Sequence, residues 1–110
     1  MTKQQYMALV TTELGNLVKL IEAKNNDYTA GSEDPFANFK ITEVLELGSA
    51  ETGLLIRMVD KIQRVKSFIK KGELKVQNES AADAARDIIG YSLILIGLMK
   101  DRETAGQVPT

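Results

Sequence analysis

Three carboxylates recur at four-residue spacing in the segment NESAADAARDIIGY, residues 78–91: Glu79, Asp83 and Asp87. In an α-helix, residues four apart lie on one side and step round the axis by about 40°. Mg²⁺ prefers oxygen ligands and is often held by one or two carboxylates together with substrate phosphates. This carboxylate stripe is therefore chemically sufficient for a magnesium–nucleotide site. The alternative is that acids near a helix start simply complement the helix dipole.

A set of cations precedes the stripe in the segment RMVDKIQR, residues 57–64. Arg57, Lys61 and Arg64 stand at i, i+4 and i+7, which places them on one cationic face with Asp60 beside them. Guanidinium forks suit phosphate oxygens. If the cationic face meets the carboxylate stripe, the two form either a phosphate-plus-metal pocket or a salt-bridge network between helices.

The third candidate element is the polar segment that follows the first helix, residues 25–39. It is rich in Asn, Asp, Gly, Ser and Pro, so we expect it to be irregular. Long loops of this kind are usually functional or disordered, and the aromatic residues argue against disorder. Aromatic rings beside Asn and Asp side chains can stack on a base and hydrogen-bond it, or can plug the end of a helical bundle.

Composition excludes several kinds of chemistry. The chain of 110 residues has no cysteine and no histidine, which excludes thiolate chemistry, disulfides and imidazole bases. The net charge of −1 gives no general attraction to nucleic acid or membrane, so we expect neither as a partner. The apolar run IIGYSLILIGLM has 12 residues, whereas about 20 are needed to span a bilayer. We therefore expect a buried helix in a cytoplasmic protein.

Helical periodicity dominates the chain, and no strand pattern competes with it. The predicted helices run approximately over Lys3–Lys24, Asn38–Leu47, Ala50–Lys71 and Ala81–Arg102. Ser49 is a suitable N-cap and Gly72 a suitable stop for the third helix. Ser80 and Asp83 resemble a capping box for the last helix, and the tail from about residue 103 is expected to fray.

These elements predict an all-α fold: a small helical bundle of three long helices and one short one, in a single domain over residues 1–110. The last helix is apolar nearly all round between Ile88 and Met99. Such a helix must be buried on every side, which one small bundle can hardly provide. We therefore expect a homo-oligomer, a dimer or higher, that forms through the C-terminal helix.

Taken in order, KNNDY, DPFANF, RMVDKIQR and NESAADAARDIIGY resemble the nucleotide-modification-associated helical domain of phages and bacteria. The match covers most of the chain, from Lys24 to Tyr91. That domain is in turn similar to the all-α nucleoside triphosphate pyrophosphohydrolases of the MazG type, which are helical oligomers that use clustered acids to bind Mg²⁺. The chain departs from the MazG pattern because its first helix has only Glu13 and Glu22, without a triple-Glu cluster.

The resemblance implies a role for each matching residue. The catalytic and metal-binding residues would be Glu79, Asp83 and Asp87, with Mg²⁺ as cofactor. The phosphate-binding residues would be Arg57, Lys61 and Arg64. The residues in contact with the nucleotide would be Lys24, Asp27, Tyr28, Asn38, Phe39 and Tyr91.

Two main functional hypotheses follow. In the first, the chain is an enzyme that cleaves a (deoxy)nucleoside triphosphate to monophosphate and pyrophosphate in phage nucleotide metabolism. In the second, it is a non-catalytic phage protein that binds and sequesters a nucleotide or a cyclic-nucleotide immune signal in the infected bacterial cell. A helical adaptor whose charges are all paired is the structural alternative.

Overall fold

The computed structural model describes residues 1–29, 33–72, 75–76 and 79–106, and for residues 26–29, 75–76 and 79 it describes the backbone alone. The chain divides into two compact units, Met1–Pro35 and Phe36–Thr110. Helices account for most of the described residues, so the all-α class is confirmed. None of these helices has the combination of length and apolar character that crossing a membrane requires.

The first unit contains the helix α1, Lys3–Thr29. Its start is a capping box, because Gln5 N–H donates to Thr2 Oγ1 at 3.1 Å and Thr2 N–H donates to Gln5 Oε1 at 2.8 Å. The predicted end at Lys24 is wrong, since the helix continues to Thr29 through residues expected to be irregular. Asn and Asp are weak helix formers, but no Gly or Pro, which disfavour a helix far more, stands between Lys24 and residue 31.

The second unit begins with a short helical segment beside α3. A 3₁₀ turn, Ala37–Lys40, leads directly into the one-turn helix α2, Ile41–Val44. The predicted short helix therefore exists, but it is split in two and ends earlier than expected. After α2 ends at Val44, Glu46 has a left-handed backbone conformation with φ of 58°. A regular α-helix does not accommodate this conformation.

The helix α3, Ala50–Lys71, has the bounds that the sequence predicted. Ser49 Oγ accepts a hydrogen bond from Thr52 N–H at 3.1 Å and so caps the helix start. Gly72 ends the helix in a left-handed conformation, with φ of 69° and its N–H donating to Ile69 O at 3.1 Å.

The helix α4, Ala81–Ala105, starts at the predicted capping box, in which Asp83 N–H donates to Ser80 Oγ and Ser80 N–H donates to Asp83 Oδ2. The helix continues past its predicted end at Arg102 to Ala105, and Gly106 is its C-cap. Fraying of the tail from about residue 103 stays a prediction. Residues 107–110 of the predicted tail lie outside the described part.

Two short antiparallel strands that the sequence did not predict, β1 (Lys75–Val76) and β2 (Glu79–Ser80), lie between α3 and α4 in the chain.

Within the second unit, α3 packs along α4 and gives this unit the character of a small helical bundle. The buried apolar side chains are Phe39, Ala50, Leu54, Phe68, Ala84 and Leu98. The single chain does not bury α4 on every side, because Ile89, Leu93 and Ile96 are each about half exposed. Burial of these residues in an oligomer stays a prediction.

Arg102 ties three helical segments of this unit together. Its Nε donates to Glu51 Oε2 at 2.7 Å and its Nη2 to Glu43 Oε1 at 3.2 Å. The other oxygen of Glu43 accepts from Ala50 N–H at 3.2 Å. Glu51 is buried, and its hydrogen bond is the main cause that raises the pKa of Arg102. The resulting network joins the end of α4 to α2 and to the first turn of α3.

The ring of Phe36 occupies the space beside Gly97 on α4. A Cβ atom at this glycine would stand 2.5 Å from Phe36 Cζ, well inside van der Waals contact. The missing side chain therefore lets the start of the short helical segment lie against the backbone of α4. At Gly90, which lies earlier on the same helix, an added Cβ atom would have no such neighbour within 4 Å.

We expect Gly97→Ala to lower the free energy of unfolding by about 1–3 kcal/mol, because the added methyl group must displace the Phe36 ring. Gly90→Ala is the matched control, and it should leave stability unchanged or raise it by up to about 1 kcal/mol through helix propensity. Urea unfolding followed by circular dichroism measures both. Equal stabilities for the two variants would contradict the close approach of Phe36 to α4.

Candidate functional site

The cationic face of α3 meets the carboxylate stripe of α4 within one chain. The contact is an ion pair between Lys61 Nζ and Asp87 Oδ2 at 2.9 Å. The two side chains are only 18% and 26% exposed, so the pair lies in the seam between the helices. The sequence left open whether the two faces meet within one chain or across subunits, and this pair answers that question.

The surroundings of Lys61 keep its ammonium group charged. The hydrogen bond to Asp87 is the largest cause that raises the pKa of Lys61, and burial opposes it. The charge of Asp87 and the nearby Tyr91 raise the pKa further, whereas Arg64 lowers it. Lys61 and Asp87 therefore lie together, with Tyr91 close enough to influence the lysine, but the lysine is already neutralised by the carboxylate.

Arg64 on the cationic face and Asp83 on the carboxylate stripe also have protein partners. Arg64 Nε lies 3.4 Å from Asp60 Oδ2, one turn earlier on the same helix. Asp83 Oδ1 accepts from Arg86 Nη1 at 2.8 Å, while its other oxygen belongs to the capping box. The hydrogen bonds with Ser80, followed by that with Arg86, lower the pKa of Asp83. These contacts correspond to the salt-bridge alternative that the sequence left open.

The acidic side chains that the structure describes do not converge into a metal site. Among the residues that the structure describes, no group of three or more acidic side chains could hold a metal ion. A Mg²⁺ ion would have to displace Arg86 from Asp83 and Lys61 from Asp87, and the side chain of Glu79 lies outside the described part. Asp83 and Asp87 as placed do not fit the ion, and the metal role of the stripe stays a prediction without geometric support.

A pocket of about 310 Å³ lies between the short helical segment and the first half of α3. Its walls are mainly apolar and are formed by Phe39, Ile41, Leu45, Leu47, Leu54 and Ile56. This volume is at the lower end of the roughly 300–1,000 Å³ that is usual for small-molecule sites. Apolar walls with a few polar groups are also typical of such sites.

Three polar side chains line the same pocket: Asn38, Thr42 and Arg57. The guanidinium carbon of Arg57 stands 4.9 Å from the centre of the Phe39 ring, within the range of a cation–π interaction. Phe39 is itself buried, so the ring is a fixed platform for the cation. Thr42 Oγ1 donates to Phe39 O at 3.2 Å, which anchors the turn that carries the ring.

The pocket brings together residues to which the resemblance gave separate roles, because it implied phosphate binding for Arg57 and other contacts with the nucleotide for Asn38 and Phe39. The sequence did not predict the aliphatic walls or Thr42. One signal was available in Gly53, an isolated glycine inside α3, which often marks a close approach. A Cβ atom there would stand 2.7 Å from Thr42 Oγ1, so the glycine lets α2 lie against α3.

The remaining predicted residues belong to the first unit. Lys24 is half-buried on α1. Asp27 and Tyr28 lie on the last turns of the same helix, with side chains outside the described part. Their contact with a nucleotide stays a prediction.

Comparisons with known protein families, with curated proteins and with solved structures find no match for this chain. The resemblance to the nucleotide-modification-associated domain therefore rests on the quoted motifs alone.

We expect Asp87→Asn to lower the free energy of unfolding by about 1–3 kcal/mol, because it leaves the largely buried Lys61 ammonium without a charged partner. Asp101→Asn, an exposed change on the same helix, should alter stability by less than about 0.5 kcal/mol. Chemical denaturation of both variants at neutral pH provides the measurement. An unchanged stability for Asp87→Asn would show that the pair does not hold α3 to α4.

Proposed function

We propose that this chain binds a nucleotide and releases it intact. The observation that carries the proposal is the stacking of Arg57 on Phe39 at a pocket that Asn38 also lines. A guanidinium group binds phosphate oxygens through two parallel hydrogen bonds. The carboxamide of Asn38 offers both donors and an acceptor to a base edge or a sugar hydroxyl. The three side chains thus combine the chemistry that nucleotide recognition requires.

The pairing of the carboxylates favours binding over cleavage. Asp87 is neutralised by Lys61, and Asp83 holds the start of α4 and Arg86. A carboxylate that acts as a general base or metal ligand needs a free oxygen directed at the substrate. A protein that holds a nucleotide acts by lowering its free concentration, and sequestration of a nucleotide or cyclic-nucleotide signal in a phage-infected cell is a role of this kind.

Pyrophosphohydrolysis is the second candidate, and one observation favours it. Asp87 pairs with Lys61, which follows Arg57 by one helical turn on α3, so an acid stands about one turn from the proposed phosphate position. Cleavage would require the Lys61–Asp87 pair to open when substrate binds. Chromatography of the bound nucleotide separates the two candidates, because only the enzyme produces monophosphate and pyrophosphate.

We expect Arg57→Ala to raise the dissociation constant for a bound nucleotide by about tenfold or more, because a charge-assisted hydrogen bond is lost. Lys66→Ala removes the same charge from another exposed position of α3 and should change the constant by less than about twofold. Isothermal titration calorimetry with the common nucleoside mono- and triphosphates measures both variants. Equal weakening by the two substitutions would indicate general charge attraction and contradict a site at Arg57.

We also propose that the chain forms a homo-oligomer through α4. Ile89, Leu93 and Ile96 stand at i, i+4 and i+7 and form an exposed apolar stripe on this helix. We expect Leu93→Glu to shift the chain toward monomer in sedimentation velocity, because a charge in an apolar interface is strongly unfavourable. Ala82→Glu, at an exposed position in the first turn of α4, is the control. A wild-type chain that sediments as a monomer at all concentrations would contradict the proposal.

A further inference from the structure

The cations of the α3 face differ in what they can still bind. Lys61 and Arg64 are each paired with a carboxylate, whereas Arg57 lies over an aromatic ring. A cation–π contact leaves the edge of a guanidinium group and its N–H donors available. Of the three predicted phosphate-binding residues, Arg57 is therefore the one that can take an anion without first releasing an acidic partner.

The Lys61–Asp87 ion pair is poorly placed to bind a phosphate group of the ligand. Both side chains are mostly buried between α3 and α4. A phosphate that recruited Lys61 would leave the carboxylate of Asp87 buried without its partner, which is strongly unfavourable. A chain of several phosphates therefore meets one available cation and two that are already neutralised.

The side chains that line the pocket suit the base of a nucleotide whose phosphate binds Arg57. Its walls are aliphatic apart from Phe39, and Asn38 and Thr42 are the polar side chains beside Arg57. Such walls suit the flat faces of a base, while the Asn38 carboxamide can pair with one polar edge. With about 310 Å³, the pocket suits a fragment of the size of a base or nucleoside.

We propose that the ligand is a nucleotide with a single phosphate group, either a 5′-monophosphate or a cyclic phosphodiester, whose base enters the pocket beside Phe39 and whose phosphate binds Arg57. This inference rests on the proposed function and names the ligand class for the same site. It also separates the chain from the triphosphate substrates that its sequence resemblance implies.

The direct test compares ligands that share a base and differ in phosphate number. Calorimetry in the presence of a chelator would use adenosine, guanosine, cytidine and thymidine 5′-monophosphates, their triphosphates, and 3′,5′-cyclic AMP and GMP. We expect at least one single-phosphate ligand to bind about tenfold more tightly than the triphosphate of the same base. Tighter binding of the triphosphate would overturn the inference and leave the proposed function standing. Binding of none of these probes would contradict both.

A pair of variants tests the position of the base. Ile56→Trp places a large ring at the pocket wall, and we expect it to weaken binding of the preferred single-phosphate ligand by about tenfold or more. Ile62→Trp is the matched control, because Ile62 is a half-exposed residue of the same helix that does not line the pocket. Circular dichroism verifies that both variants fold. Unchanged affinity in Ile56→Trp, with both variants folded, would show that the base lies elsewhere.

Discussion

The pairing of α3 with α4 determines where the other elements of the second unit can stand. Apolar contacts alone would let these two helices slide or rotate, because the hydrophobic effect is non-directional. Two ion pairs provide direction: Lys61–Asp87 in the middle of α3, and Glu51–Arg102 near its start. Glu51 precedes Lys61 on α3, whereas its partner Arg102 follows Asp87 on α4, so the two helices run antiparallel. With this register set, Arg102 also reaches Glu43, and the ring of Phe36 lies beside Gly97.

The same constraint changes the meaning of the charged motifs. Residues that look catalytic in the sequence, such as Asp83 and Asp87, are engaged in capping α4 and joining it to α3. The site that we propose for the ligand lies one turn before Lys61 on α3, where Arg57 stacks on Phe39. A salt bridge between two helices and a phosphate-plus-metal site use the same residue types at the same spacing. An acid opposite a lysine is compatible with either of them. What separates them is the partner of each side chain, which spacing alone does not specify.

Structural features that depend on neighbouring residues could be predicted from the sequence, whereas contacts between distant residues could not. The bounds of α3 follow from Ser49 and Gly72, whose capping chemistry acts within a few residues. The end of α1 was misjudged because Asn and Asp weaken a helix without stopping it. Asn38, Phe39 and Arg57 were predicted as nucleotide contacts from residue type and motif, and the structure places all three at one pocket. The aliphatic walls of their pocket were missed, because they come together through the close approach of α2 to α3 at Gly53, which a linear pattern does not reveal.

We propose that the chain holds a nucleotide at the Phe39 pocket and not at the carboxylate stripe. The most direct test is a titration of the ¹⁵N-labelled chain with the four nucleoside 5′-monophosphates, first without and then with Mg²⁺, followed by amide chemical shifts. The account predicts saturable shifts centred on Asn38, Phe39 and Arg57 that do not need the metal. Shifts centred on Glu79, Asp83 and Asp87 that occur only with Mg²⁺ would contradict it, as would the absence of any saturable shift.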